Sequence, residues 1–193
     1  LLSDQEVRNC LMIMTNKPFY EFITELDSVE AFRSCLPISD RRTDEQYRLE
    51  LLLRLLIPEY IDWDKIGQYT DFAELLDKET VSLCSKELNL PQIKERFVAT
   101  FNLLYGIFGE DAFKKFNGTK HLGPVMAASF QAIATGVYEN INAILEVNDK
   151  SDWLKSKVMQ LYAEDIFKKN TTPGVRSIPR FRDLSLFGIE YFK

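Results

Sequence analysis

The chain has 193 residues, 46% of them hydrophobic and 27% charged, with 8 Gly and 7 Pro, which excludes collagen-like, low-complexity and broadly disordered classes. That length suits one good-sized domain over residues 1–193 and crowds two. With 24 Lys+Arg against 29 Asp+Glu the net charge is −5, so the domain as a whole is not a basic nucleic-acid wrapper, and the single histidine, His121, excludes metal sites or acid–base dyads that need two.

Ser3-Asp4-Gln5-Glu6 reads as a capping box, the Ser3 hydroxyl taking the Glu6 amide while the Glu6 carboxylate reaches back. The helix it starts carries Val7, Leu11 and Met14 on one face, with Cys10 beside them. Asn16-Lys17-Pro18 breaks that helix, because Pro18 biases its predecessor away from α geometry. A second helix follows with Phe19, Phe22, Ile23 and Leu26 at i, i+3, i+4, i+7, then a short one around Ala31–Leu36 that stops at Pro37. Residues 39–43 form a polar hinge before a helix in which Leu51, Leu52, Leu53, Leu55 and Leu56 surround most of the circumference. Such a helix is the central one of a bundle.

The aromatic 60–69 stretch reads as a loop packed down by Trp63, and the helical pattern resumes at Phe72 and runs towards Cys84. Pro91 opens a long helix bearing Phe97, Phe101, Leu104 and Phe108. Gly109-Glu110-Asp111 breaks it, and residues 116–124 read as loop. Residues 125–145 form another long helix whose Ala127, Ala128, Ala132, Ala134 and Gly136 permit close helix approach. An amphipathic segment over 149–169, a loop at 170–174 and a C-terminal helix complete the chain. No sustained period-two run appears, and the one Asn-Gly, at Asn117-Gly118, sits between helical patterns. The expectation is an all-α irregular bundle of about eight to nine helices.

Cys10, Cys35 and Cys84 are odd in number, widely spaced and without a C-x-x-C pair, so they read as buried reduced thiols. No segment approaches the roughly 20 apolar residues of a membrane span, and no signal peptide is visible. A soluble, cytoplasmic protein is expected. Phosphate-loop, dinucleotide, zinc-protease and nucleophile-elbow motifs are all missing from the sequence. Acidic pairs such as Glu21 with Glu25 read as solvated helix faces, and His121 as an exposed or capping residue.

Two basic features stand out. One is the Arg41-Arg42 pair in the polar hinge. The other is the tail from Lys168, where six basic residues face two acidic ones. There Arg176, Arg180 and Arg182 are spaced so that at least two share a helix face and meet phosphates or a carboxylate-rich neighbour. The competing reading is a solvated terminus with its arginines paired to Asp183 and Glu190.

Taken together, SDQEVRNC, PFYEFITEL, SDRRTDEQYRLELLLRLL and the long helix ending FGEDAFKKF resemble the helical part of the GmrSD-type restriction-system family. Members pair a ParB/sulfiredoxin-like N-terminal domain with such helices. The counterparts here are Ser3, Glu6, Arg8 and Asn9; Phe19 and Phe22; Arg41 and Arg42; Leu53, Arg54 and Leu55; and Phe108, Gly109, Ala112 and Phe113. The resemblance implies an intact parent acting on foreign DNA with a nucleotide and Mg, through a catalytic motif that this chain does not contain. No catalytic residue and no cofactor carry over.

What the resemblance implies for these residues is a scaffold that docks on its own ParB-like domain and guides DNA. Arg8 and Asn9 would lie at the junction, with the Arg41-Arg42 turn and Arg176, Arg180 and Arg182 as the remaining docking or nucleic-acid residues. The start on Leu1-Leu2 and the helix at Ser3 fit a non-catalytic remainder of a longer chain. A free-standing all-α interaction module without catalysis is the alternative. Self-association stays open, and no membrane contact is expected.

Overall fold

A computed structural model describes residues 3–193. The helices are α1 (Asp4–Asp27), α2 (Glu30–Ser34), α3 (Asp40–Asp44), α4 (Tyr47–Tyr60), α5 (Phe72–Cys84), α6 (Leu90–Phe108), α7 (Ala127–Glu146), α8 (Lys150–Leu161), α9 (Asp165–Thr171) and α10 (Ser177–Tyr191). Short 3-10 turns cover Trp63–Gln68 and Gly109–Asp111. Eight of the helices run seven residues or longer, and the fold is predominantly all-α. Among the described residues no helix is long and apolar enough to cross a membrane.

The Ser3 capping box is formed, with Glu6 Oε2 accepting from the Ser3 amide at 2.7 Å. The expected break at Asn16 is a kink inside α1: Asn16 leaves helical geometry (φ −154°, ψ 85°), and its Oδ1 caps the second half by accepting from the Phe19 amide at 3.1 Å. The leucine-rich α4 is the central helix, with Leu51, Leu52, Leu53 and Leu55 fully buried. Phe32, Phe97 and Phe101 pack edge-on and tilted at 4.6–5.2 Å, joining α2 to α6.

Three expectations are corrected. The 116–124 stretch is not all loop. Lys114–Phe116 (β1) pairs antiparallel with His121–Val125 (β2), and Asn117-Gly118 turns the hairpin. The Asn117 Oδ1 accepts from the Thr119 and Lys120 amides, and Gly118 sits at φ 100°, where only glycine is unstrained. Second, Cys10 is exposed, whereas Cys35 and Cys84 are buried. Third, the polar hinge contains a short helix, α3.

The exposure of Cys10 follows from how α1 is turned. Its first half buries Gln5, Arg8, Asn9 and Met12, spaced i, i+3, i+4, i+7, against α4 and α5. Val7, Cys10, Ile13 and Met14 face outwards. The polar stripe goes inside because it finds partners there. Arg8, 1% exposed, donates to Glu50 of α4 at 3.2 Å and to Asp77 of α5 at 2.7 Å. Asn9 donates to the Gln46 side chain and accepts from Gln5.

Candidate functional site

α7 and α10 pack side by side along their length, and their contacts rise together in number. Ser185 meets Gln131, Gly188 lies on Ala132, and Phe192 lies on Gly136. The two helices are therefore parallel. Glycine makes the approach possible: a Cβ on Gly188 would collide with the Ala132 carbonyl, and one on Gly136 with the Gly188 carbonyl. Parallel packing brings both N-termini to one end of the molecule, and a recess opens there.

The recess holds about 560 Å³ of empty space, counting its open mouth, and is lined by α4, α5, α7 and α10. Ala127 and Ala128 are the first two residues of α7, and Ser177 is the first of α10. Neither helix has a side-chain cap, so first-turn amides at both ends have no intrahelical acceptor. Each helix N-terminus behaves as roughly half a positive charge.

Arg54 and Arg180 line the same recess. Arg54 spends one terminal nitrogen on Glu50 at 2.6 Å and lies 4.5 Å over the Phe72 ring. Arg180 gives one terminal nitrogen to the Val175 carbonyl at 3.0 Å and makes no ion pair among the described residues. The Nε atoms of both arginines are buried without an acceptor. A guanidinium carries five N–H donors, so each has several unspent.

Glu50 also holds Arg8, so Arg8, Arg54, Glu50 and Asp77 balance one another, and Arg180 brings an uncompensated charge. No carboxylate lines the recess. Gln131, 3% exposed, supplies the remaining polar group. Its Nε2 reaches the Arg54 carbonyl at 3.1 Å, Thr135 at 3.1 Å and Ser185 at 2.9 Å, while its Oε1 has no donor. Phe72, Phe181 and Leu184 form the apolar wall, backed by Trp63 at 5.8 Å from Phe181.

The residues singled out from sequence scatter. Arg8 is spent inside on Glu50 and Asp77 and has no surface to offer a partner; Asn9 is buried beside it. Arg41 is exposed and pairs with Glu45 at 2.8 Å, and Arg42 lies over Tyr47 at 4.6 Å, both far in sequence from the arginine tail. Arg182 is exposed and pairs with Asp183. Arg176 is exposed and caps α10 by position, next to Ser177 of the recess. Only Arg180 of the seven lines it. Arg54 belongs to the family pattern without a role there, and nothing in the sequence sets it apart from Arg48, Glu50 and Glu59, the other charged residues of α4.

His121 is half-buried on β2, its Nδ1 3.1 Å from the Lys114 carbonyl and its ring among Phe108, Phe116 and Tyr162. Among the described residues no group of three or more His, Cys, Asp or Glu side chains is placed to hold a metal ion. No family model matches the chain, and neither a curated protein nor a solved structure matches it. What the recess can do is read from its chemistry: aligned amides and guanidinium donors hold a negatively charged oxygen group.

Proposed function

We propose that the chain is a helical binding module whose recess takes an oxyanion, a phosphate group above all. One observation carries this reading: two parallel, uncapped helix N-termini converge on a wall that holds Arg54 and Arg180 and no carboxylate. Helix N-termini and bidentate guanidinium groups both hold phosphate, the first by aligned amides and the second by paired N–H donors. The other lining groups, a carboxamide, a hydroxyl and aromatic rings, orient a ligand by hydrogen bonding and packing.

Thermal unfolding tests it. At fixed ionic strength, replacing chloride with phosphate is expected to raise Tm more in the native chain than in Arg180→Ala. The comparison removes the general stabilisation that phosphate gives any protein. Equal responses of the two chains would overturn the reading.

A second reading keeps the scaffold role implied by the restriction-family resemblance, with a ParB-like domain as the docked partner. The outward apolar stripe of α1 supports it, since Met14 is 84% exposed and Val7 and Ile13 are each above 40%. On this reading Met14→Asp weakens co-elution of the chain with a ParB-like domain, and unchanged co-elution contradicts it.

A further inference from the structure

Resting on the oxyanion reading, we infer that the ligand carries a second phosphate group, held by Lys115 and Lys168 in a groove that adjoins the recess, so that its class is a bisphosphate or oligophosphate. Size is the first argument. Without its open mouth the recess offers about 200 Å³, below the roughly 300–1,000 Å³ of small-molecule pockets. One phosphate group fits there, and whatever bears it has to continue outside.

The neighbouring groove is the second argument. It lies between β1, the end of α8 and α9, and offers about 370 Å³, again without its mouth. Met126 lines the groove and Ala127, the next residue, lines the recess, so the two openings meet at the start of α7.

Charge is the third. Lys115 and Lys168 are exposed and make no ion pair among the described residues, and no carboxylate among those residues lines the groove. Glu110 and Asp111, just before the hairpin, are spent on Lys114, while the tail's Asp183 and Glu190 are spent on Arg182 and Lys193. Glu164 and Asp165, at the start of α9, pair with neither lysine. The groove's hydroxyl protons are committed as well. Tyr162 donates to the Lys114 carbonyl, Thr171 to the Phe167 carbonyl and Thr172 to the Lys168 carbonyl. The two ammonium groups are left to meet a ligand, and they select it by charge. Together they match the nearly double charge of a phosphate monoester better than the single charge of a carboxylate.

The test is calorimetric titration of the whole chain, at fixed ionic strength, with inorganic phosphate, propyl phosphate, fructose 1,6-bisphosphate, tripolyphosphate and hexaglutamate. At least one of the two compounds with several phosphates is expected to bind on the order of tenfold or more tighter than propyl phosphate, because the second contact becomes intramolecular. The tighter of the two tells whether the phosphates are joined directly or through a carbon frame. Lys115→Ala with Lys168→Ala is expected to remove most of that advantage and leave propyl phosphate unchanged. Lys86→Ala with Lys155→Ala takes away the same charge elsewhere and should keep it. Should the first pair fail to fold, Lys168→Gln alone reads a smaller loss.

Propyl phosphate binding as tightly as both larger compounds overturns this proposal and leaves the oxyanion reading standing. So does an advantage that survives the loss of Lys115 and Lys168, or that falls equally in the control pair. Tighter binding by hexaglutamate than by the larger phosphate compounds replaces the second phosphate with carboxylates and overturns it too. No binding by any phosphate compound overturns both readings.

Discussion

Gly188 of α10 lies so close to the Ala132 carbonyl of α7 that no side chain fits between them. That contact sets the register of the parallel pair, and the register places Ser177 beside Ala127 and Ala128 at the recess. The binding end of the molecule is therefore fixed by a packing event well along the same helices.

Gly188→Ala is expected to cost about 1–3 kcal/mol, the range for overpacking a close-packed interior. Urea unfolding measures it. Because the added methyl pushes α10 off α7, phosphate binding should weaken in the same variant. A neutral substitution would mean that the helices are not in this register.

Glu50 accepts from Arg8 and Arg54 on separate oxygens, at 3.2 and 2.6 Å. Removing it by Glu50→Ala leaves Arg8, 1% exposed, with Asp77 as its one remaining carboxylate partner among the described residues. Roughly 3 kcal/mol should be lost, the low end for breaking a buried pair, since one partner stays. Adding Arg8→Met to that variant should restore part of the loss, because the stranded charge goes with it. A double-mutant cycle by denaturant unfolding reads the coupling.

The turn of α1 gives a paired contrast. Met12→Ala is expected to cost about 2–5 kcal/mol, as for a buried aliphatic side chain. Met14→Ala, two residues on, should stay within about 0.5 kcal/mol. The reverse order would put the apolar stripe inside after all.

Burial pushes the Tyr162 phenol up to about 12, with a smaller opposing effect from its hydrogen bond to Ser129. Its hydroxyl donates to the Lys114 carbonyl at 2.8 Å and so ties α8 to the hairpin. A raised pKa means that the fold holds the proton more tightly than the unfolded chain, whose tyrosines titrate near 10. The stabilisation is complete below about pH 10 and is lost as pH rises towards about 12, on the order of 2 kcal/mol. Tyr162→Phe should show a shallower alkaline loss of stability. An identical slope in both chains would place the titrating group elsewhere.

Most helices were legible because their apolar residues recur at helical spacing and Pro or Gly marks their ends. The central position of α4 followed from leucines on every side. Periodicity misled in the first half of α1, where the stripe of Val7 and Met14 is real but a polar stripe with Glu50 and Asp77 for partners wins the interior. The hairpin escaped because three- and five-residue strands are too short to show alternation, although Asn117-Gly118 was its signal.

Small residues in α7 announced a close approach but not its partner. Gly188 lies 56 residues from Ala132 and Arg180 lies 126 from Arg54, and no local pattern pairs them. The recess exists only once that long-range pairing has formed.

The most direct measurement is a phosphate titration followed by backbone amide NMR shifts. The expected result is that the largest changes fall on the Ala127, Ala128 and Ser177 amides and on the Nε–H signals of Arg54 and Arg180. Shifts scattered over exposed residues such as Arg41, Arg42 and Arg182, or no shifts at all, would contradict the oxyanion site.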